Sequence, residues 1–462
     1  MRNRRDGRGT SMSLGAEIEH RALDTWEIAP RLEVERMQQR LLADQLRYVS
    51  AASSFYRSKL GALGGEVNAD VLAELPFTTK DDLRRAQTDE PPFGSLQAAN
   101  RADIVRLHVT SGTTGRPLAI GFTREDLRIS SSIGARAYWA AGVDVEDVFL
   151  HCLNYSLYVG GLADHLALEQ TGATVVPVGL GQSERILELW NDLRPTGLYS
   201  TPSYARHLAE IARRQGVEPR SLGLRLVLGG GEPGGDIPET RALIEETWGA
   251  QVGDIYGLGE VWPTFAGHCA ARDGLHLSAP DALFVELIDP DSGDPVEMSP
   301  GAEGELVYTH LRRRATPLVR YRSGDVVRVL DPCSCGRTTP RLRILGRSDA
   351  MFIVRGVNVF PQAIEGILDE LVPSHGAFAV LLREPQPVPP VPLLVEAAGG
   401  SEDLADTVQA AIRTRLQFTC QVSFVGAGAL ALQSEHKSRS VFRTYRGEQP
   451  PGLEHEGAGA NA

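Results

Sequence analysis

Lysine is unusually scarce in this sequence. Of 47 basic residues, only Lys59, Lys80 and Lys437 are lysines. A chain that uses arginine wherever a surface cation suffices is expected to keep lysine where a compact ammonium on a flexible stem is needed. This scarcity makes Lys437 a candidate functional residue before any motif is considered.

Other features that the sequence lacks exclude whole classes of protein. No apolar run reaches the ~18 residues that a membrane-spanning helix requires, so we expect no membrane partner. The formal net charge is −12, whereas a nucleic-acid-binding surface is normally basic, so no nucleic-acid partner is expected either. The five cysteines are odd in number and scattered, which argues against a disulfide framework and favours a reduced, cytoplasmic setting.

Both ends of the chain have compositions typical of disorder. The first ten residues include four arginines, and no apolar segment follows them as it would in a secretory signal. The last residues, 447–462, are rich in Gly, Pro and Glu. We expect residues 1–11 and 447–462 to be disordered.

The pattern of the remaining chain predicts two domains. Of the 462 residues, 42% are apolar, which is enough for more than one hydrophobic core. From residue 104 short apolar strands alternate with amphipathic helices, which predicts an α/β fold with helix-flanked sheets. We predict a large N-terminal domain at 1–346, a hinge at 347–349 and a small, mobile α+β C-terminal domain at 350–446. Among the predicted elements are strands at 104–109, 148–153, 224–228, 251–256 and 326–330, and a helix at 124–141.

A segment rich in Gly and hydroxyl residues, 109–117, is predicted to lie between a strand and a helix. Small residues of this kind let the backbone wrap closely around a polyphosphate, with N–H and hydroxyl groups donating to its oxygens. The spacing of a Walker A loop is absent. The residues alone leave two interpretations open, a phosphate loop and an ordinary Ser/Thr/Gly turn.

A second glycine pattern supports a remote alternative. Gly229, Gly231 and Gly234 match the dinucleotide fingerprint, and Asp254 follows about 20 residues later, as in a Rossmann oxidoreductase. That interpretation leaves the segment 109–117 without a role, and a lone fingerprint of this kind is a weak signal.

From residues 75–80 to Lys437, a series of motifs resembles the adenylate-forming superfamily of acyl-CoA synthetases, and within it the phenylacetate–CoA ligase family. The resemblance implies an acid–thiol ligase that uses ATP and Mg²⁺ to form an acyl-AMP and then transfers the acyl group to coenzyme A. It implies that Tyr256 stacks on adenine, that Asp325 binds the ribose and that Glu260 helps to hold Mg²⁺. The residues expected to bind ATP or AMP are Thr110, Ser111, Gly112, Thr113, Thr114, Gly115, Gly231, Glu232, Pro233, Asp254, Ile255, Tyr256, Asp325 and Arg347.

The same resemblance assigns catalysis and the hinge. Lys437 matches the lysine that bridges the attacking carboxylate and the α-phosphate, and Glu260 and Arg347 complete the predicted catalytic set. Asp349 matches the position about which the small domain rotates. Gly259 departs from the family, which has a hydroxyl residue there, so one hydrogen bond to the adenylate phosphate is expected to be lost.

The acyl group is expected to lie in a compact pocket lined by aromatic side chains. By resemblance its residues are Tyr155, Tyr158, Gly160, Gly161 and Trp262, which favour a small aryl carboxylic acid over plain phenylacetate. Packing of these aromatics in a core is the alternative. Coenzyme A is the expected acceptor, and a carrier-protein thiol or an amine is left open, as is a homodimeric assembly.

Cys269, His276, Cys333 and Cys335 form a further constellation. Their spacing, Cys-x6-His followed by Cys-x-Cys, suits a tetrahedral zinc site of the structural kind, with all four positions filled by protein. The alternative is four unrelated residues, since cysteine is often a small buried apolar residue.

Overall fold

The computed structural model describes residues 22–61, 68–110, 117–354, 357–384, 387–430 and 440–450. Within these ranges the chain folds into a large α/β domain and a smaller C-terminal domain, so the predicted fold class is confirmed. In the part of the chain described, no helix combines the length and apolar character that crossing a membrane requires. All five cysteines are free thiols.

The large domain begins with helices that were not predicted. They are α1 (Arg31–Ala52), α2 (Ser54–Leu60), α3 (Ala69–Glu74) and α4 (Lys80–Asp89), after a short 3-10 helix at Thr25–Glu27. Local capping sets where α4 begins, because the Thr79 hydroxyl accepts from the Asp82 N–H and the Asp82 carboxylate accepts from the Thr79 N–H. This cap places Lys80 at the first position of the helix.

The segment predicted to bind phosphate connects two antiparallel strands, β1 (Ile104–Val109) and β2 (Ala119–Thr123). Its predicted place between a strand and a helix was therefore wrong. The reason is that β2 is only five residues long and buried at every residue, so it shows no alternation of apolar and polar residues. It directly precedes the next helix, α5 (Arg124–Ala140), and was not recognised as a separate strand. Thr123 both ends the strand and caps that helix.

Twelve strands of the described chain form one sheet in the order β11-β10-β12-β13-β14-β9-β8-β7-β6-β5-β3-β4. The strands from β3 to β7 are parallel, and antiparallel pairing begins between β7 and β8. The strands are β3 (Val148–His151), β4 (Thr174–Pro177), β5 (Gly197–Ser200), β6 (Leu226–Gly230), β7 (Gln251–Leu258), β8 (Trp262–His268), β9 (Leu275–Leu277), β10 (Leu283–Ile288), β11 (Pro295–Val296), β12 (Glu303–His310), β13 (Tyr321–Val329) and β14 (Arg341–Arg347).

Helices cover both faces of the parallel part of the sheet. They are α5 together with α6 (Val159–Gln170), α7 (Ser183–Leu193), α8 (Pro202–Arg214) and α9 (Pro238–Trp248). The central strands β5 and β6 are buried at every residue, as expected for parallel strands between two helical layers. Because parallel strands end at one edge, the loops after β3, β5 and β6 lie together there, at the edge where open α/β sheets bind their ligands.

The small domain has its own core, in which Val380, Val395 and Ile412 are buried. Its four-stranded sheet has the order β19-β18-β17-β20, beside the hairpin β15-β16. The elements are β15 (Phe352–Val354), β16 (Val357–Val359), α10 (Pro361–Leu371), β17 (Phe378–Leu382), β18 (Val391–Glu396), α11 (Glu402–Arg415), β19 (Cys420–Val425) and β20 (Val441–Arg443). Strand β14 of the large domain ends at Arg347, within the predicted hinge.

Candidate active site

Thr110 closes the base of the segment predicted to bind phosphate. Its N–H donates to the Leu118 carbonyl at 3.0 Å, and its hydroxyl accepts from the Leu118 N–H at 3.1 Å. The predicted residues Ser111, Gly112, Thr113, Thr114 and Gly115 lie outside the described residues. The described part therefore shows how the two ends of the loop are held together.

The turn predicted to face adenine follows β6 at the edge of the sheet. Gly231 has φ +85°, a left-handed conformation that glycine adopts without strain. Glu232 accepts a hydrogen bond from the Ser203 N–H at 2.7 Å, which ties the turn to the start of α8, and Pro233 is exposed beside it. Because Gly231 and Pro233 are both exposed, part of the turn is accessible to solvent.

Asp254 and Ile255 lie beneath this turn and are both buried. The Asp254 N–H donates to His268 Nδ1 at 3.1 Å, and a side chain at Gly235 would meet the Asp254 carboxylate at 2.6 Å. Burial raises the pKa of Asp254 well above its ordinary value. Asp254 therefore supports the turn from below.

Tyr256 and Asp325, far apart in sequence, are in direct contact. The Tyr256 hydroxyl donates to Asp325 Oδ2 at 2.7 Å and lies 3.2 Å from the Tyr308 hydroxyl. Asp325 lies within β13, where the predicted strand began only at residue 326. Gly324 explains the difference, because its φ of +78° forms an irregularity inside the strand that resembles a turn in sequence.

Arg347 connects this pair to the predicted hinge. Its guanidinium donates to the Ser323 carbonyl at 3.1 Å and to Asp325 Oδ1 at 3.4 Å, and it holds Asp349 through two bonds of 2.9 and 3.2 Å. Burial disfavours its charge, but the carboxylates of Asp325 and Asp349 raise the pKa of Arg347 above its ordinary value. The guanidinium therefore stays ionised at the junction of the two domains.

Glu260 has a partner that the motif analysis missed. Its carboxylate is 2.7 Å from the ammonium of Lys80 and 3.4 Å from the Tyr321 hydroxyl, which donates to it. Glu260 is buried, whereas about a third of the Lys80 side chain, 35%, is exposed. The scarcity of lysine could have pointed to Lys80 as well as to Lys437, which lies outside the described residues.

The loop that leads into α6 brings most of the predicted acyl-pocket residues beside β1. The Val109 N–H donates to the Leu157 carbonyl at 3.0 Å, and Tyr158 forms an isolated bridge with Val109. The Tyr155 hydroxyl lies 2.9 Å from His165 Nδ1. A side chain at Gly161 would overlap the Asn154 carbonyl at 2.1 Å, so the loop passes very close to the helix.

Trp262, also predicted to line the acyl pocket, lies in the core of the large domain. It is fully buried, with the guanidinium of Arg313 at 4.5 Å from the centre of its ring and His310 against its edge. These contacts correspond to the alternative of core packing, and a role for Trp262 in the pocket stays a prediction.

A buried ion-pair cluster joins the two domains near this edge. Asp369 of α10 accepts from Arg206 of α8 at 2.7 Å and from the Thr240 hydroxyl of α9, and it also contacts His375 Nε2 at 2.9 Å. Burial opposes ionisation, but the bond to His375 and the charge of Arg206 lower the pKa of Asp369. We call Asp369, Arg206, Thr240 and His375 the interdomain cluster.

The four residues predicted to bind zinc come together. Their ligand atoms all lie within 4.8 Å of one another, with 3.6 Å between the Cys269 and Cys333 sulfurs and 3.4 Å between Cys335 Sγ and His276 Nε2. Ligands about 2.0–2.3 Å from a tetrahedral zinc ion would be roughly 3.3–3.8 Å apart. The donor set and its spacing therefore fit zinc, and the site connects the β8–β9 hairpin to the loop before β14.

Comparison with known proteins identifies the family. The profile of the AMP-binding enzyme family matches residues 28–310, and that of the AMP-binding enzyme C-terminal domain matches residues 356–444. The chain belongs to the AMP-binding enzyme family. It is therefore an AMP-forming acid–CoA ligase, and the Rossmann oxidoreductase alternative is dropped.

Relatives of this AMP-binding enzyme include two bacterial phenylacetate–coenzyme A ligases. That of Thermus thermophilus is 39% identical over 76% of this chain and 79% of its own length, and that of Escherichia coli is 37% identical over 75% and 79%. Among solved structures, a 2-hydroxyisobutyryl-CoA ligase in its postadenylation state has a TM-score of 0.83 at 30% identity, covering 91% of this chain and 92% of its own. The same ligase in its thioesterification state has a TM-score of 0.67 at 31% identity, covering 90% and 91%.

Proposed function

We propose that this enzyme activates a small aryl carboxylic acid as its acyl-AMP and transfers the acyl group to coenzyme A. The observation that carries the proposal is the cluster of Tyr256, Asp325 and Arg347 beside the Lys80–Glu260 pair at the edge of the sheet. Aromatic, carboxylate and cationic groups are gathered there from four separate segments. The relatives named as phenylacetate–coenzyme A ligases support an aryl acid as substrate.

Each charged group has a proposed task. Asp325 accepts hydrogen bonds from the ribose, and Tyr256, oriented by its bond to Asp325, stacks on adenine. Glu260 is the carboxylate that would hold Mg²⁺, an ion that neutralises triphosphate charge and is usually bound by one or two carboxylates together with phosphates. Lys80, whose ammonium is 2.7 Å from the Glu260 carboxylate, holds that carboxylate in place until nucleotide and metal arrive.

Lys437 is proposed to supply the charge that adenylation needs. As the acid carboxylate attacks the α-phosphate, negative charge develops on the oxygens between the two groups. An ammonium placed there stabilises this charge more in the transition state than in the ground state. A flexible point charge suits a residue that must then withdraw with the small domain.

Rotation of the small domain about Asp349 is the proposed link between the two half-reactions. Two observations support it. The interdomain cluster joins the domains through side-chain bonds that such a rotation would break, and the postadenylation state of the 2-hydroxyisobutyryl-CoA ligase is the more similar of its two states to this chain. Zinc bound by Cys269, His276, Cys333 and Cys335 would have no open position for chemistry, so its proposed role is structural.

A second substrate class is favoured by the structural comparison. A 2-hydroxyisobutyryl-CoA ligase superposes on 91% of this chain with a TM-score of 0.83 at 30% identity. A short 2-hydroxy acid is therefore the alternative substrate. A cytoplasmic location is part of the proposal.

Pyrophosphate release tests the proposal. Purified enzyme with ATP and Mg²⁺ is assayed against benzoates, phenylacetates and 2-hydroxy acids, with and without coenzyme A. We expect release that depends on an aryl acid, and consumption of free coenzyme A in the complete mixture. Pyrophosphate release only with 2-hydroxy acids would show that the substrate is not an aryl acid. Accumulation of acyl-AMP in the presence of coenzyme A would show that coenzyme A is not the acceptor.

A further inference from the structure

A carboxyl group that none of the proposed steps uses is buried in α6, the helix that follows the loop containing Tyr155 and Tyr158. Asp164, on the second turn of α6, is 3% exposed. Its Oδ1 accepts from the Thr264 hydroxyl at 2.9 Å, and its Oδ2 accepts from the Tyr199 hydroxyl at 3.2 Å. The Tyr138 hydroxyl extends this network, 3.2 Å from Thr264 Oγ1. One helix and two strands that are far apart in sequence, α5, β5 and β8, thus place hydroxyl groups around one carboxyl group.

The surrounding hydroxyl groups only partly offset the effect of burial on the ionised form of this carboxyl group. Burial raises the pKa of Asp164 to about 7, and the groups that oppose the increase are the hydroxyls of Thr264, Tyr138 and Tyr199. A carboxylate has about four acceptor positions, and the hydroxyls of Thr264, Tyr199 and Tyr138 account for three of them. One acceptor position is therefore left for a donor from a ligand.

The side chain of a histidine next to this network has no hydrogen-bond partner among the described residues. His151, the last residue of β3, is fully buried, and within the described residues neither of its ring nitrogens has a hydrogen-bond partner. Its ring packs 5.2 Å from that of Tyr199 and 5.1 Å from that of Tyr155. Burial lowers the pKa of His151 to about 3, so the imidazole is neutral and offers one donor and one acceptor.

Two glycines lie between the buried polar residues Asp164 and Tyr199 and the residues predicted to bind the acyl group and the nucleotide. A side chain at Gly160 would lie 3.3 Å from Asp164 Oδ2, and one at Gly230 would lie 2.8 Å from the Tyr199 hydroxyl. Gly160 belongs to the predicted acyl pocket, and Gly230 directly precedes the turn predicted to face adenine. With no side chain at either position, only glycine backbone lies between these residues and the carboxyl and hydroxyl groups.

We propose that Asp164 determines the acyl selectivity of this enzyme, by accepting a hydrogen bond from a hydroxyl or amino substituent on the far end of the acid. The inference rests on the proposed function and narrows its substrate class to acids with a polar substituent. His151 and Tyr199 complete the subsite, since a hydroxyl group can both donate to the carboxylate and exchange a hydrogen bond with the imidazole. A site built to bind such a group rejects an analogue that lacks it, because its buried polar atoms are then left unpaired.

Matched pairs of acids test this inference. The specificity constant for pyrophosphate release is measured for meta- and para-hydroxybenzoate and for the aminobenzoates, each against benzoate, and for the hydroxyphenylacetates against phenylacetate. In at least one pair we expect the substituted acid to exceed its parent by ten-fold or more. Asp164→Ala should lower that ratio by about ten-fold or more. The ratio is the chosen readout because a smaller folded fraction lowers both of its members equally.

Two further variants separate selectivity from folding. Thr264→Val keeps the shape of the side chain but removes one hydroxyl from the network, so it should lower the ratio in the same direction. Glu146→Gln changes a carboxylate to an amide at an exposed position before β3, and it should leave the ratio unchanged.

The possible failures are distinguishable. Equal activity on both members of every pair, in wild type and in Asp164→Ala, would overturn the inference and leave the proposed function intact. A ratio that survives in Asp164→Ala would assign selectivity to other residues and would also overturn it. Absence of pyrophosphate release with every aryl acid would overturn the proposed function, and the inference with it.

Discussion

Replacing Arg206 by glutamine should weaken the contact between the two domains without disturbing either core. Arg206 lies on α8 of the large domain, and its guanidinium donates to Asp369 at 2.7 Å and to the Pro373 carbonyl at 3.0 Å, both in the small domain. These bonds cross the interface, so they exist only while the domains keep this arrangement. Their loss should shift the equilibrium between domain arrangements.

The size of the shift follows from the burial of the pair. A hydrogen bond to a charged group contributes about 1.5–3 kcal/mol. The Asp369 side chain is fully buried but that of Arg206 is 22% exposed, so solvent screens part of the interaction. We therefore take the lower end, about 1.5 kcal/mol, which corresponds to roughly a ten-fold change in the equilibrium.

The assay separates the two half-reactions. Because the described arrangement is more similar to a postadenylation state, Arg206→Gln should slow acid-dependent pyrophosphate release by up to about ten-fold. Formation of the thioester from preformed acyl-AMP should not slow. Arg213→Gln, the same change at an exposed position of the same helix, is the control. Equal loss of both half-reactions, or no loss of either, would refute the role of the interdomain cluster.

Four other changes test individual residues. Lys437→Ala should lower pyrophosphate release by orders of magnitude, while thioester formation from preformed acyl-AMP survives; equal loss of both would point to a folding defect. Asp349→Pro should leave pyrophosphate release intact and slow thioester formation, because a proline restricts the backbone rotation that a hinge must absorb; normal thioester formation would exclude Asp349 as the hinge. Lys80→Gln should raise the Mg²⁺ concentration needed for half-maximal activity several-fold, whereas Lys59→Gln, which removes the other described lysine ion pair, should not. Cys335→Ser should lower zinc content and melting temperature together with little change in the apparent affinity for ATP, since a metal held by the native fold adds to its stability; metal-free protein of full stability would contradict the zinc site.

Patterns within short stretches of sequence predicted much of the fold. The strand at 104–109 agrees with β1 at both ends, and the predicted helix at 124–141 ends within one residue of α5. Such elements can be recognised from alternation of apolar and polar residues, amphipathic spacing and capping residues, all of which are patterns over a few residues. Where a local signal was ambiguous the prediction was wrong, as at β2, too short to show a period, and around Gly324, which bends a strand without ending it.

The candidate site divides in the same way. Motif residues such as Tyr256, Glu260 and Asp325 could be named from the sequence, because chemistry constrains the residue types and the local backbone around them. Their partners could not, since Lys80 reaches Glu260 across 180 residues, and the contact depends on how α4 is set against the sheet. The domain limits and the roles assigned by resemblance stay predictions.

The sequence by itself determined the residue types, the short-range elements and the family resemblance, because these depend on neighbours along the chain. The tertiary structure alone decided which side chains meet. It joined twelve strands into one sheet, brought Cys269 and His276 to Cys333 and Cys335, and enclosed Asp164 among hydroxyls from three other elements. The physical reason is that burial and hydrogen bonding depend on distance in space. A partner that is far away in sequence does not change the pattern of residues near its contact, so the local sequence cannot predict it.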